Sequence, residues 1–129
     1  MHDVKTDKTK NRIYITIGKL ENEAEMQAIS QTVKTKCKTL KKGFTCITDL
    51  RKYEIQDDRF EDYVRTTQEA MIAAGMSRVV RVRRETGLLG HFQFDNASME
   101  VGYHADNVTT MEEAEKILDA ATAHSSAAL

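Results

Sequence analysis

Apolar and polar positions change rhythm several times along the chain. Ile13, Ile15 and Ile17 alternate with Tyr14 and Thr16, which predicts a half-buried strand over 12–18 ended by Gly18. Over 22–41 the spacing becomes three or four: Met26, Ile29, Val33, Cys37 and Leu40 line one face of a helix. Glu21, Glu23 and Glu25 crowd its start and Lys36, Lys38, Lys41 and Lys42 its end, which suits the helix dipole, and Gly43 fits a left-handed cap. FTCITDL at 44–50 returns to strand chemistry. A second helix runs from Arg59 to Ala74, capped by Asp57 or Asp58, with Phe60, Tyr63, Val64, Thr67, Met71 and Ala74 on its apolar face and Gly75 closing it. RVVRVR at 78–83 alternates valine with arginine as a third strand. LLGHFQF, within 84–100, fits a short helix or a strand, the short helix being preferred, and 100–104 reads as a fourth strand. Thr110 with Glu113 three residues on forms a capping box, followed by the stripe Met111, Ala114, Ile117, Leu118 and Ala121.

Strands alternating with helices specify an α/β fold with a mostly parallel sheet of four to five strands. Each right-handed crossover between sequential strands falls on the same side, so the helices are expected mainly on one face. The alternating strands predict a polar opposite face, with Arg81 and Arg83 beside Tyr14 and Thr16 and within reach of Asp49. Residues 1–11, with little to bury, read as a flexible tail, 12–122 as a single domain, and 123–129 as a frayed terminus.

This layout resembles the STAS-like, or SpoIIAA-like, family, a short strand–helix superhelix. FTCITDLRKYEI is similar to the family's second core strand and the turn after it. RFEDYVRTTQEAMIAAG is similar to the helix that follows. SRVVRV, LLGHFQF and MEVGYHADNVTTMEEAEKIL resemble its last stretch of strand, short helix, strand and helix. The resemblance spans 12–120 and implies a non-enzymatic module that binds proteins or small ligands. Members that antagonise anti-sigma factors carry a phosphorylated serine at the start of the second helix. Gln56, Asp57, Asp58 and Arg59 stand there instead, with no serine or threonine between Thr48 and Thr66, so the serine switch does not carry over.

Composition narrows the classes. The 129 residues are 40% hydrophobic and 30% charged, which suits one folded domain. A net charge of -1 gives no global attraction to nucleic acid. The five lysines between Lys34 and Lys42 lack interleaved aromatics and read as a solvated helix face. No apolar run is long enough to span a bilayer, and no export signal is visible, which points to the cytoplasm. Cys37 and Cys46 fall at core-facing positions and read as free buried thiols. His2, His91, His104 and His124 form no ligand motif, so neither a metal nor another cofactor is expected.

Three surfaces remain as candidates. Asp57, Asp58 and Glu61, in an acidic stretch with Glu54 and Asp62, offer a charged loop to a protein partner, as do Asp49, Arg81 and Arg83. A permanent aspartate at a helix amino terminus mimics the electrostatics of phosphoserine. Leu88, Leu89, Phe92 and Phe94 offer a pocket for a small apolar or lipid-like ligand. The leading expectation is a non-enzymatic regulatory domain acting through protein partners, with a homodimer left open. A small-ligand carrier is the alternative, and a small enzyme using the 54–62 carboxylates is third.

Overall fold

The computed structural model describes residues 2–20, 22–53, 60–84 and 106–127. Its described elements are β1 (His2–Asp7), β2 (Arg12–Ile17), α1 (Glu23–Cys37), β3 (Thr45–Asp49), α2 (Phe60–Ala73), β4 (Arg78–Val82), β5 (Asp106–Val108) and α3 (Met111–Ala127). The five strands form one sheet in chain order. β1 is antiparallel to β2 and every later pairing is parallel. The expected α/β fold with a mostly parallel sheet is what the chain adopts.

Register sorts the side chains by face, because neighbouring residues in a strand point to opposite sides. Ile13, Cys46 and Val79 lie in one row across β2, β3 and β4, and Ile15, Thr48 and Arg81 in another on the same face. α1 and α2 cover this side: Met26, Ile29, Val33, Val64 and Met71 complete one core with Ile13, Ile15, Ile17, Cys46 and Val79. The opposite face carries the rows Tyr14, Ile47, Val80 and Thr16, Asp49, Val82. There Ala114 and Leu118 of α3 form a second core with Ile47, Val80 and Val82.

Two of the three described helices thus share a face, as sequential crossovers require. The expected polar face is corrected, since α3 covers it. α3 follows the last described strand and closes no crossover, so handedness does not fix its side. Arg81 is corrected with it: it shares the face of Ile15, while Val80 and Val82 point the other way.

The ends of the chain also differ from expectation. His2–Asp7 is a strand and not a tail. Val4 is buried opposite Ile15, His2 Nδ1 lies 2.9 Å from Glu25 Oε2, and Lys36 Nζ donates to the Val4 carbonyl, so α1 holds the edge strand. α3 continues to Ala127, past the residue where fraying was expected. The strand expected at 100–104 lies outside the described residues, and the last described strand is Asp106–Val108. The expected short helix in 84–100 also lies outside them, apart from Arg84.

Local chemistry sets the helix limits. Asn22 caps α1, its Oδ1 accepting from the Glu25 N–H at 2.9 Å. Thr110 Oγ1 accepts from the Glu113 N–H at 3.1 Å and donates to the Glu113 carboxylate, so the expected cap of α3 is present. α1 ends at Cys37, so Gly43 does not cap it. Gly75 does close α2: its N–H donates to Ile72 and that of Met76 to Met71, with Gly75 at φ 104°. This is a Schellman closure. Gly43, at φ 89°, donates its N–H to the Gly75 carbonyl at 2.7 Å, which joins the two turns.

A Cβ on Gly75 would meet Lys42 Cγ at 3.0 Å and its Cα at 3.1 Å, whereas one on Gly43 would meet nothing within 4 Å. Positive φ costs an alanine about 1–2 kcal/mol at either site. Gly75→Ala should therefore destabilise more than Gly43→Ala in urea unfolding; equal losses would show that the Lys42 contact gives way freely.

Candidate functional site

The residues expected to form a charged surface separate in the structure. Asp49 ends β3, and both of its carboxylate oxygens accept from Arg51: Oδ2 from Nη2 at 2.8 Å, Oδ1 from Nε at 3.0 Å and from the backbone N–H at 3.1 Å. Burial alone would raise the Asp49 carboxyl, but these bonds outweigh it and hold the group below its ordinary value. The partner expected for Asp49 was Arg81 or Arg83; Arg51 takes that role, because Asp49 and Arg81 point to opposite faces. Arg83 follows β4 directly, half-buried, its N–H donating to the Val108 carbonyl at 2.8 Å. Arg84 is exposed and reaches the Tyr53 carbonyl at 3.5 Å. Asp49, Arg51, Arg83 and Arg84 thus collect at the carboxyl ends of β3 and β4, the end of a parallel sheet where α/β folds place ligands. Asp57 and Asp58 lie outside the described residues, as do Leu88, Leu89, Phe92 and Phe94. Glu61 is placed in α2 by its backbone alone.

Arg81 has a different setting. It is 2% exposed and lines a cavity of about 40 Å³ between the sheet and helices α1 and α2. The walls are mostly apolar, with Ile15, Met26, Val64 and Met71 among them. Thr48, Thr67, Gln68 and Arg81 supply the polar groups. Thr67 Oγ1 donates to Ser30 Oγ at 2.8 Å, a buried link between α2 and α1. Sequence reasoning placed Thr67 on the buried face and missed Gln68 beside it.

A second polar cluster sits at the amino end of β2, and no sequence pattern announced it. Arg12 is 1% exposed. Its Nε donates to Thr45 Oγ1 at 2.9 Å, and its Nη1 pairs with Glu115 and, at 3.0 Å, with Asp119. Tyr14 donates to Glu115 at 3.0 Å, and Lys10 Nζ reaches it at 3.2 Å. The partners are about a hundred positions apart, so no local spacing reveals them; the one signal is a charged residue in phase with Tyr14 on a strand. Burial alone would raise the Glu115 carboxyl, but the bonds from Arg12, Tyr14 and Lys10 hold it below its ordinary value. The cluster fastens α3 to the sheet, since each charge answers another.

The thiols are quiet. Burial pushes Cys37 up to about 11 and Cys46 up to about 12. Among the described residues, no group of three or more His, Cys, Asp or Glu side chains is arranged to hold a metal ion. No described helix is long and apolar enough to cross a membrane. Comparison with protein-family models and with curated proteins finds no match for the chain.

Two outcomes follow from these environments. A carboxylate with a lowered folded pKa contributes stability above its unfolded value and loses it as pH falls through the folded one. Glu115→Gln should cost about 1–2 kcal/mol at pH 7, a charged hydrogen bond discounted for partial exposure. The gap from wild type should narrow below the ordinary carboxylate range, near pH 4; urea titrations at pH 7 and pH 3 measure it, and a pH-independent gap would refute the assignment. Thiolate is only about one part in a thousand for a thiol of pKa 11 at pH 8. Ellman's reagent should therefore leave both cysteines of the native protein unlabelled at that pH and react with both in urea.

Proposed function

We propose that the chain is a non-enzymatic STAS-like regulatory domain that engages a protein partner at the carboxyl end of its sheet. One observation carries the reading: Asp49, Arg51, Arg83 and Arg84 gather where β3 and β4 end, with Asp49 held ionised by Arg51. Fixed charges of both signs suit recognition of a complementary protein surface, where they set orientation and encounter rate. The order of strands and helices supports the STAS-like assignment, including a strand that ends at Asp49, with Leu50 next, ahead of α2.

A binding role also fits the described ionisable groups. A general acid or base works best with a pKa shifted toward neutrality. Asp49 and Glu115 are shifted the other way, and both thiols are pushed far above neutrality. Where serine-switched relatives carry their phosphorylation site, this chain carries Asp57 and Asp58. Partner binding is therefore constitutive in this reading, with no kinase gate at that position.

Crosslinked co-purification from the source cell, quantified by mass spectrometry, tests the proposal. The wild-type chain should enrich a specific protein, and purified partner should bind at least tenfold more weakly to the double variant Asp49→Asn, Arg83→Gln. Circular dichroism melting of that variant should stay within a few degrees of wild type. A partner indifferent to the double replacement, or no enriched protein at all, would overturn the reading.

A further inference from the structure

β1 ends the order of the sheet, and no described strand pairs with its outer side. Register shows which of its backbone groups face outward. The Thr45 N–H donates to the Asn11 carbonyl at 3.1 Å and starts the β2–β3 ladder, so Ile13 and Ile15 turn their backbone groups toward β3. Arg12, Tyr14 and Thr16 therefore turn theirs toward β1, where they meet Asp7, Lys5 and Asp3. His2, Val4 and Thr6 alternate with those residues and present their N–H and C=O groups to the open edge. The bond from Lys36 Nζ to the Val4 carbonyl agrees with that direction.

Charge selects what can pair there. Antiparallel pairing of β1 with a second copy sets outward-facing residues opposite one another. Centring the pair on Asp3 places that carboxylate against its own copy. Centring it on Lys5 places lysine against lysine and Asp3 against Asp7. Centring it on Val4 places Asp3 against the second copy's Lys5 and Lys5 against the second copy's Asp3. Opposite charges facing each other across a strand pair stabilise it, and like charges do the reverse. Lys5 Nζ already lies 3.5 Å from Asp3 Oδ2 within the strand, and both residues are exposed. The register centred on Val4 joins the two pairs into a ring in which the signs alternate. On the other face Val4, buried on the α1 side, meets its own copy.

We propose that β1 is a homodimer edge, at which two copies pair antiparallel about an axis through Val4 and continue one sheet across both chains. β2 separates this edge from Asp49 and Arg83, so the inference does not depend on the binding role proposed above. Charges on an edge strand ordinarily deter pairing. Here they deter the neighbouring registers and favour the one centred on Val4. Lys36 limits the strength. A carbonyl oxygen has two lone pairs, so Lys36 leaves one on Val4 for the facing N–H. The axis brings the two Lys36 ammonium groups near each other, and their repulsion keeps the dimer reversible.

Sedimentation equilibrium of the full chain over a wide range of concentration tests this. Wild type should dimerise reversibly. Asp3→Lys and Lys5→Asp should each weaken the dimer at least tenfold. The chain carrying both substitutions should recover wild-type affinity, because the exchange restores opposite charges across the axis. Lys36→Met should tighten the dimer. Amide hydrogen exchange locates the contact without any substitution: the N–H groups of Val4 and Thr6 should exchange more slowly as concentration rises. A wild type that stays monomeric at every concentration, single variants that dimerise as wild type does, or a double variant that does not recover would each overturn the inference. So would a Lys36→Met dimer no tighter than wild type, or exchange at Val4 and Thr6 that ignores concentration.

Discussion

Coverage of β3 on both faces constrains the rest of this molecule. Thr45, Cys46, Ile47 and Thr48 are all buried, with α1 and α2 over one side and α3 over the other. A strand in that position has no solvent side on which to place polar groups. A hydroxyl or charge buried in the rows that cross it must therefore find its partner inside the protein. Thr45 accepts from Arg12, and Thr48 Oγ1 lies 3.5 Å from Cys46 Sγ. Arg12 in turn needs the acids of α3, and Arg81 lies in a lined cavity rather than on a surface. The two polar clusters are consequences of one layered arrangement.

The clusters solve the same problem differently. At the amino end of β2, charge is answered by charge: Arg12 and Lys10 face Glu115 and Asp119, with Tyr14 donating into the group. Ion pairs of this kind hold position more than they add stability, because dehydration offsets much of the attraction. They suit α3, whose described apolar contacts with the sheet rest on Ala114, Leu118 and a few half-buried neighbours. On the other face α2 leans on α1 through Thr67 and Ser30 and leaves space toward the sheet. One face is fixed by salt bridges and the other keeps a small, mostly apolar cavity.

Local signals were legible and the second layer was not. Isoleucine alternation located β2, three-and-four spacing located α1 and α2, and the Thr110–Glu113 pair located the start of α3. Each depends on neighbours a few positions away. β1 escaped because Val4 is its one buried apolar residue, and its order comes from α1, more than twenty positions along. The side of the sheet taken by α3 escaped for a related reason: alternation in RVVRV reads as one apolar and one polar face. Arg81 breaks that equation, being a buried charge on the face of Ile15. The contrary clue was FTCIT, nearly free of polar alternation, which is the mark of a strand covered on both sides. As for the candidate site, Asp49 and Arg83 were visible as charges at strand ends, whereas Arg12 and Gln68 were not, because their surroundings are assembled by topology.

The two ends of the parallel sheet consequently differ in what they leave available. At the amino end, the buried guanidinium of Arg12 is answered by two acids of α3, and Tyr14 and Lys10 supply further donors to Glu115, so the arrangement consumes its own charge. At the carboxyl end Asp49 is held ionised by Arg51, yet Arg51 and Arg84 remain exposed and Arg83 half-exposed. A surface already organised by an internal ion pair presents its charges in fixed positions, and less side-chain freedom is lost when another surface meets it. Fixed charge at the outer end of β3 and β4, with polar groups buried just behind it, fits the partner-binding role we propose for that end.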